Sequence, residues 1–318
     1  MHVPAQLKWL NLSAAILHYS LAIIFIGYYA SLNRRYENQP VQGVETSLRD
    51  HAIDLRVVHG CTPNQGFCDA SGNTITTNWA STETAVPSIK VIQGMLISFF
   101  LITGTFHMFY FVSEYNSGKD GYYQQAISNS NNFYRWIEYS ITSTLMLYVI
   151  SLISGVKDTN IYIMLCMNNV AMIYMGQLVE EKVRDRPDNK MMWIIPMFVS
   201  WALLISEWVV IVRNFTQRIN QVNAFLSAST SPLTNGVKIP SWISLTVYIL
   251  AFFFICFGFI SLAGAIWGIS YPTIEYAYII ASFVAKATLG IFIAYGTGQR
   301  QQGWTNDNPR RLNPSSLF

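Results

Sequence analysis

Seven long apolar segments, separated by polar stretches, constrain this chain more than any other feature of its sequence. A helix needs about 20 mainly apolar residues to cross a bilayer, and only helices or closed barrels satisfy their backbone hydrogen bonds there. The segments lack the alternating pattern of barrel strands, so the sequence predicts an all-α membrane protein, a bundle of seven transmembrane helices. The predicted spans cover residues 9–31, 88–112, 133–154, 159–179, 192–212, 241–267 and 275–296.

The composition agrees with lipid as the solvent. Charged residues make up 12% of the chain, against roughly 25% in soluble domains. The net charge is +3 without a basic tract, so nothing indicates a nucleic-acid partner. The first apolar run, Leu10 to Tyr29, is longer than the roughly 7–15 apolar residues of a signal peptide. We therefore predict that it is retained as a membrane span.

The connections between the spans are short except for residues 32–87. This polar segment has β-prone pieces around Arg56–His59 and Thr74–Thr77, which predict a small β-containing cap on the bundle. Cys61 and Cys68 bracket a turn-rich stretch within it and are expected to form a disulfide; two free thiols are the alternative. Residues 1–299 form one domain in this prediction, and residues 300–318 form a polar tail. The sequence contains no zinc or haem motif.

Two patterns disagree on the orientation of the chain. The short connection Glu180–Met191 is rich in basic residues, and such connections are usually cytoplasmic; they are Lys182, Arg184, Arg186 and Lys190. The total count points the other way, because without Lys286 seven basic residues fall on that side and twelve on the other. We give more weight to this basic connection than to the total count. It predicts a cytoplasmic N-terminus and an extracellular C-terminus.

Lys286 lies near the centre of the last apolar segment. A charged lysine at that depth costs at least about 2.5–3.5 kcal/mol on insertion scales, so it requires a function or a partner. A desolvated lysine can be a neutral nucleophile that forms a Schiff base with an aldehyde. The alternative is a structural lysine paired with a buried acid.

Glu138, at the start of the third span, is the candidate anion for a protonated Schiff base. To reach the depth of Lys286, the third helix is expected to begin well before Trp136, near Ile127. The alternative is a glutamate at the helix end, in the headgroup region.

Three further polar residues occupy apolar segments. His18 and His107 suit a proton relay or a polar cavity, although for either one alone a hydrogen bond to a neighbouring helix is the preferred explanation. Glu207, in the fifth span, would hold a proton if buried and could exchange it; the alternative is an interfacial glutamate paired with Arg213. Ser282 lies one helical turn before Lys286, on the same face.

Two sequence signatures resemble those of the heliorhodopsin family. The third span contains Arg135-Trp136-x-Glu138-Tyr139-Ser140, and the last span contains Tyr276-Ala277-Tyr278-Ile279-Ile280 followed by Ser282-x-x-x-Lys286. The likeness covers all seven spans and the long connection after the first, and it implies a rhodopsin-like fold and an N-terminus inside the cell. It also implies a homodimer that functions as a receptor and not as an enzyme.

The resemblance assigns roles to individual residues. It implies all-trans retinal on Lys286, with Glu138 as the counterion and Ser282 beside the Schiff base. It implies that His18 and His107 line a polar cavity. The residues that it places around retinal are Tyr139, Asn169, Met172, Gly176 and Phe259.

Three functions follow as hypotheses. The first is a photoreceptor with a signalling or regulatory output through an unidentified partner. The second is a light-gated or light-driven proton transporter that uses Glu207. The third keeps the seven helices but makes the protein a receptor or carrier without photochemistry.

Overall fold

A computed structural model of the chain describes residues 5–36, 47–59, 73–85, 89–117, 121–156, 158–185, 189–228 and 241–302. These ranges contain two strands and eight helices: α1 Ala5–Tyr36, β1 Ser47–His59, β2 Asn73–Ala85, α2 Ile89–Ser117, α3 Tyr122–Ser128, α4 Phe133–Ile153, α5 Thr159–Asp185, α6 Lys190–Ala228, α7 Ser241–Trp267 and α8 Tyr271–Gln302. All helices except α3 are long and apolar enough to cross a membrane. The seven predicted spans are confirmed, each lying within an observed helix to within one residue.

The long connection after α1 contains an antiparallel pair of strands. Its register runs from Ser47 opposite Ala85 to His59 opposite Asn73, so the two β-prone pieces of the sequence pair with each other. Residues 60–72 join the strands and lie outside the described residues, as does the predicted disulfide between Cys61 and Cys68. At the other end of the chain, α8 continues to Gln302, so the predicted tail begins as helix.

The third span, α4, begins later than we expected from the position of Glu138. The short helix α3 ends at Ser128, and a turn follows in which Ser130 has a φ of 51°. The side chain of Asn132 then caps α4 by accepting a hydrogen bond from the Arg135 amide. The prediction of a continuous helix from Ile127 is therefore wrong. Glu138 is buried nonetheless, and the buried α3 residues Tyr123 and Ile127 pack with side chains of α1, α2 and α8.

Polar and apolar side chains are distributed unevenly along the bundle. We call the half that contains the start of α1 the N-terminal half and the half that contains its end the hairpin half. The hairpin half holds the main apolar core, which includes Phe25, Phe99, Phe100, Leu147, Ile150, Leu204, Trp208, Ile211, Leu250, Phe254 and Leu289. Most of the strongly polar buried side chains lie in the N-terminal half or at its border: Asn11, His18, Thr103, His107, Asn132, Arg135, Glu138 and Glu275.

Candidate functional site

A buried ion pair joins α8 to α4 at the border between the two halves. Lys286 Nζ donates to Glu138 Oε1 at 2.9 Å and to Ser282 Oγ at 2.7 Å, and both charged side chains are about 3% exposed. The same carboxylate oxygen accepts hydrogen bonds from Thr103 at 2.6 Å and Thr142 at 3.1 Å. These extra bonds offset part of the cost of removing the carboxylate from water. The sequence had pointed to the lysine, the glutamate and the serine, but not to the two threonines.

A cavity with mainly apolar walls adjoins Lys286. Its empty space is about 790 Å³, counting the open solvent at its mouth. The lining contains three residues that the resemblance had placed there, Tyr139, Met172 and Gly176. The other large side chains of the lining are Trp136, Met146, Ile173, Met197, Trp201, Leu204, Phe254, Phe257 and Tyr278.

Two glycines leave room for tryptophan rings that line this cavity. A Cβ atom on Gly176 would lie 2.8 Å from Trp136 Cζ3, and one on Gly258 would lie 2.9 Å from Trp201 Cζ2. Such distances are shorter than van der Waals contact, so a larger residue at either position would displace the ring. Both tryptophan rings belong to the cavity wall, and such aromatic side chains suit contact with a flat conjugated molecule.

Two predicted pocket residues do not line the cavity. Phe259 is 56% exposed and packs against the outer side of Trp201. Successive helical residues are about 100° apart, so Phe257, Gly258 and Ser261 of α7 face the cavity and Phe259 faces outward. Asn169 is buried behind the wall, where its amide donates to Ser143 and Thr144 at 2.8 Å each.

The two histidines lie together beside the ion pair, with ring centroids 5.6 Å apart. His18 Nδ1 is 2.7 Å from the Ala14 carbonyl oxygen, which can only accept, so this nitrogen carries the proton. The amide nitrogen of Asn11 donates to a backbone carbonyl, which turns the Asn11 oxygen toward His107 Nδ1 at 2.8 Å. In both neutral imidazoles Nε2 therefore holds the lone pair.

A second ionic cluster lies near the N-terminal end of the bundle. Arg135 binds the carboxylates of both Glu180 and Glu275, and Glu180 also accepts from the Trp136 indole at 2.7 Å and from the Tyr271 hydroxyl. The sequence analysis missed these two glutamates, which belong to other helices. Their signal was weak: Glu275 is a charged residue at the start of an apolar segment, and Glu180 resembled part of the polar connection.

Glu207 lies apart from the cavity, between α5 and α6. Its side chain is fully buried, and one carboxylate oxygen accepts a hydrogen bond from Asn168 at 2.9 Å. The other oxygen has no hydrogen-bond partner among the described residues. Arg213, the alternative partner suggested by the sequence, is exposed. Within the described ranges, Glu207 thus has no cationic partner.

Comparison with known proteins agrees with this geometry. The family model described as "Heliorhodopsin" matches residues 69–297, which is most of the chain. A solved structure, described as the crystal structure of thermophilic rhodopsin, superposes with a TM-score of 0.58 at 13% identity, covering 96% of this chain and 99% of that one. That likeness shows the fold alone. No curated protein sequence matches the chain. Together with its seven membrane spans, the family match shows that this retinal-binding, light-sensing membrane protein belongs to the heliorhodopsin family.

Proposed function

We propose that the protein is a photoreceptor in which Lys286 holds all-trans retinal as a protonated Schiff base and Glu138 is its counterion. The observation that carries this proposal is the 2.9 Å contact between Lys286 Nζ and Glu138 Oε1 in the wall of an aromatic cavity. A buried amine and a buried carboxylate from different helices, next to space for a polyene, meet the chemical requirements of such a linkage.

The residues around the cavity fit retinal. When bound, retinal supplies a light-driven change of shape that moves the Schiff-base proton relative to its surroundings. Before illumination, the negative charge of Glu138 balances the positive charge of the Schiff base, and Thr103 and Thr142 fix the position of the carboxylate oxygen. Trp136 and Trp201 line the cavity where the polyene would lie.

The packing of the hairpin half supports a signalling output. Its apolar core lies between the ion pair and the end of the bundle that carries the hairpin. A proton or another ion would have to cross this core to leave on that side, at a high cost in desolvation. We therefore propose that illumination rearranges the helices to regulate a partner, and that ions are not pumped.

Proton transport is the second candidate, because one buried carboxyl lies beyond the cavity. Glu207 is fully buried, and one of its oxygens has no hydrogen-bond partner among the described residues. An acid in that position could take up and release a proton. Voltage-clamp recording in a host cell separates the candidates: a light-induced current that is lost in Glu207→Gln supports transport, and the lack of current at every holding potential eliminates it.

We further propose that the N-terminal half faces the cytoplasm and that the protein forms a homodimer. The basic connection between α5 and α6 supports the orientation, since Lys182, Arg184 and Lys190 lie on that side. Homodimer formation rests on the family resemblance.

The central experiment is to purify the protein with all-trans retinal and to record its spectrum in the dark and under illumination. We expect a visible band that light alters, and Lys286→Ala should form no pigment. Lys90→Ala is the matched control, because Lys90 is an exposed lysine at the start of α2; this variant should be coloured. Colour in Lys286→Ala would refute the linkage, and a colourless wild-type protein would favour a receptor without photochemistry.

A further inference from the structure

Trp201 of α6 is a cavity residue whose indole N–H has no hydrogen-bond acceptor in the described part of the chain. Its Nε1 atom is buried, and its ring forms part of the cavity wall beside Met197 and Leu204. A buried indole normally finds an acceptor, because tryptophan can only donate and an unpaired buried donor is costly. A molecule bound in the cavity can supply the missing acceptor.

The edge of the Trp201 ring that carries Nε1 faces α7. A Cβ atom on Gly258 would lie 2.9 Å from Trp201 Cζ2 and 3.3 Å from Cε2, the atom bonded to Nε1. Gly258 also lines the cavity. The exposed Phe259 packs edge-on against the ring, with centroids 5.1 Å apart. The N–H group therefore lies in the cavity wall where α6 meets α7.

Trp201 and Lys286 belong to opposite sides of the cavity. Both residues line it, but α6 packs against α5 and α7, whereas α8, which carries Lys286, packs against α7 and α1. The linkage to Lys286 uses the aldehyde carbon at one end of retinal. The other end of the molecule, its six-membered ring, therefore extends toward α6.

A second polar side chain of α6 complements the indole. Ser200 precedes Trp201 and also lines the cavity. Its hydroxyl donates to the Met172 carbonyl oxygen at 3.3 Å, so its own oxygen can still accept a hydrogen bond. The α6 side of the cavity thus offers one donor and one acceptor, which are the two partners that a ligand hydroxyl requires.

We propose that this side of the cavity recognises a retinal whose ring carries a hydroxyl group. The inference rests on the proposed function, because the same linkage to Lys286 holds the ligand. The ring hydroxyl accepts from Trp201 Nε1–H and donates to Ser200 Oγ. Unsubstituted retinal has no polar atom on its ring, so it leaves the indole N–H buried without an acceptor. A site that hydrogen-bonds a ligand hydroxyl discriminates against the analogue that lacks it.

A competition between two chromophores tests this preference. The purified ligand-free protein is equilibrated in the dark with equal concentrations of all-trans retinal and all-trans 3-hydroxyretinal. Unbound ligand is removed, and the bound molecules are extracted and quantified by chromatography. We expect the wild type to bind about 10-fold more of the hydroxylated form, which corresponds to about 1.4 kcal/mol, the upper range for one hydrogen bond. Trp201→Phe keeps an aromatic ring but removes the N–H, so its ratio should fall to about one.

Trp208→Phe is the matched control. The Trp208 indole N–H is also buried and has no acceptor among the described residues, and Trp208 lies two turns further along α6. Its ring packs against Phe254 and is not part of the described cavity lining. This variant should therefore keep the wild-type ratio.

Each outcome decides the proposal. Equal binding of the two chromophores by the wild type overturns it, as does a preference that Trp201→Phe retains or that both variants lose. Extraction counts bound ligand with or without a covalent bond, so the two proposals fail separately. A visible pigment without preference overturns the hydroxyl site alone, and preferential binding without a visible pigment overturns the Schiff base alone. If neither chromophore binds, both proposals are overturned.

Discussion

Replacing Glu138 by glutamine separates charge from shape at the Lys286 ion pair. The amide oxygen of glutamine can accept the hydrogen bonds that Thr103 and Thr142 now donate to the carboxylate. The side chain therefore keeps its position and loses only its negative charge. Any change in the spectrum of the pigment then reports on electrostatics.

The structure sets the size of the effect. Lys286 Nζ, the proposed Schiff-base nitrogen, lies 2.9 Å from Glu138 Oε1. With an effective dielectric constant of about 20, two unit charges at this separation attract by about 6 kcal/mol. Excitation moves positive charge away from the nitrogen along the polyene, so the anion stabilises the ground state more than the excited state. Removing it lowers the transition energy, and about 6 kcal/mol is the upper limit of the red shift.

The assay is the absorption spectrum of the purified pigment. Glu207→Gln is the matched control, because it makes the same substitution at a buried glutamate that does not contact Lys286. We expect a red shift in Glu138→Gln and none in Glu207→Gln. An unshifted spectrum in Glu138→Gln would show that another group is the counterion, and a shift in the control alone would identify Glu207 instead.

Three further predictions concern other parts of the molecule. Arg135→Gln leaves Glu180 and Glu275 without their shared cation. We expect this substitution to destabilise the fold by about 3–5 kcal/mol and to lower the thermal unfolding midpoint in detergent. An unchanged midpoint would contradict a buried cluster. Gly176→Ala places a methyl group 2.8 Å from Trp136. The resulting overpacking should lower the stability of the protein by about 1–3 kcal/mol and shift the spectrum of the pigment. A variant with unchanged stability and an unchanged spectrum would contradict the close contact. Cys61 and Cys68 should resist alkylation until a reductant is added, and mass mapping that finds both labelled without reductant would exclude the disulfide.

Hydropathy was sufficient to predict the seven spans because their length is imposed by the thickness of the bilayer. The partnership of Lys286 and Glu138 was also accessible from the sequence. A lysine at that depth needs an anion, and few acidic residues occur within the apolar segments. The strands were indicated only by β-prone pieces, but those pieces lie opposite each other in the observed register.

Other features depended on packing between distant parts of the chain. Arg135 meets Glu180 and Glu275, which are 45 and 140 residues away, and no local pattern encodes such contacts. The outward position of Phe259 depends on the rotation of α7 about its own axis, which hydropathy leaves undetermined in a helix that is apolar on all sides. The turn before α4 is stabilised by the Asn132 cap, which a hydropathy profile does not register.

The uneven distribution of polar groups along the bundle has an electrical consequence. A tightly packed apolar layer has a low dielectric constant, so we expect the larger share of a transmembrane voltage to fall across the hairpin half. Moving one elementary charge through the full voltage changes its free energy by about 2.3 kcal/mol per 100 mV. Lys286 and Glu138 border this layer on its polar side. A charge displaced between them and the N-terminal end would therefore cross only a minor part of the voltage, and a charge displaced toward the hairpin would cross most of it.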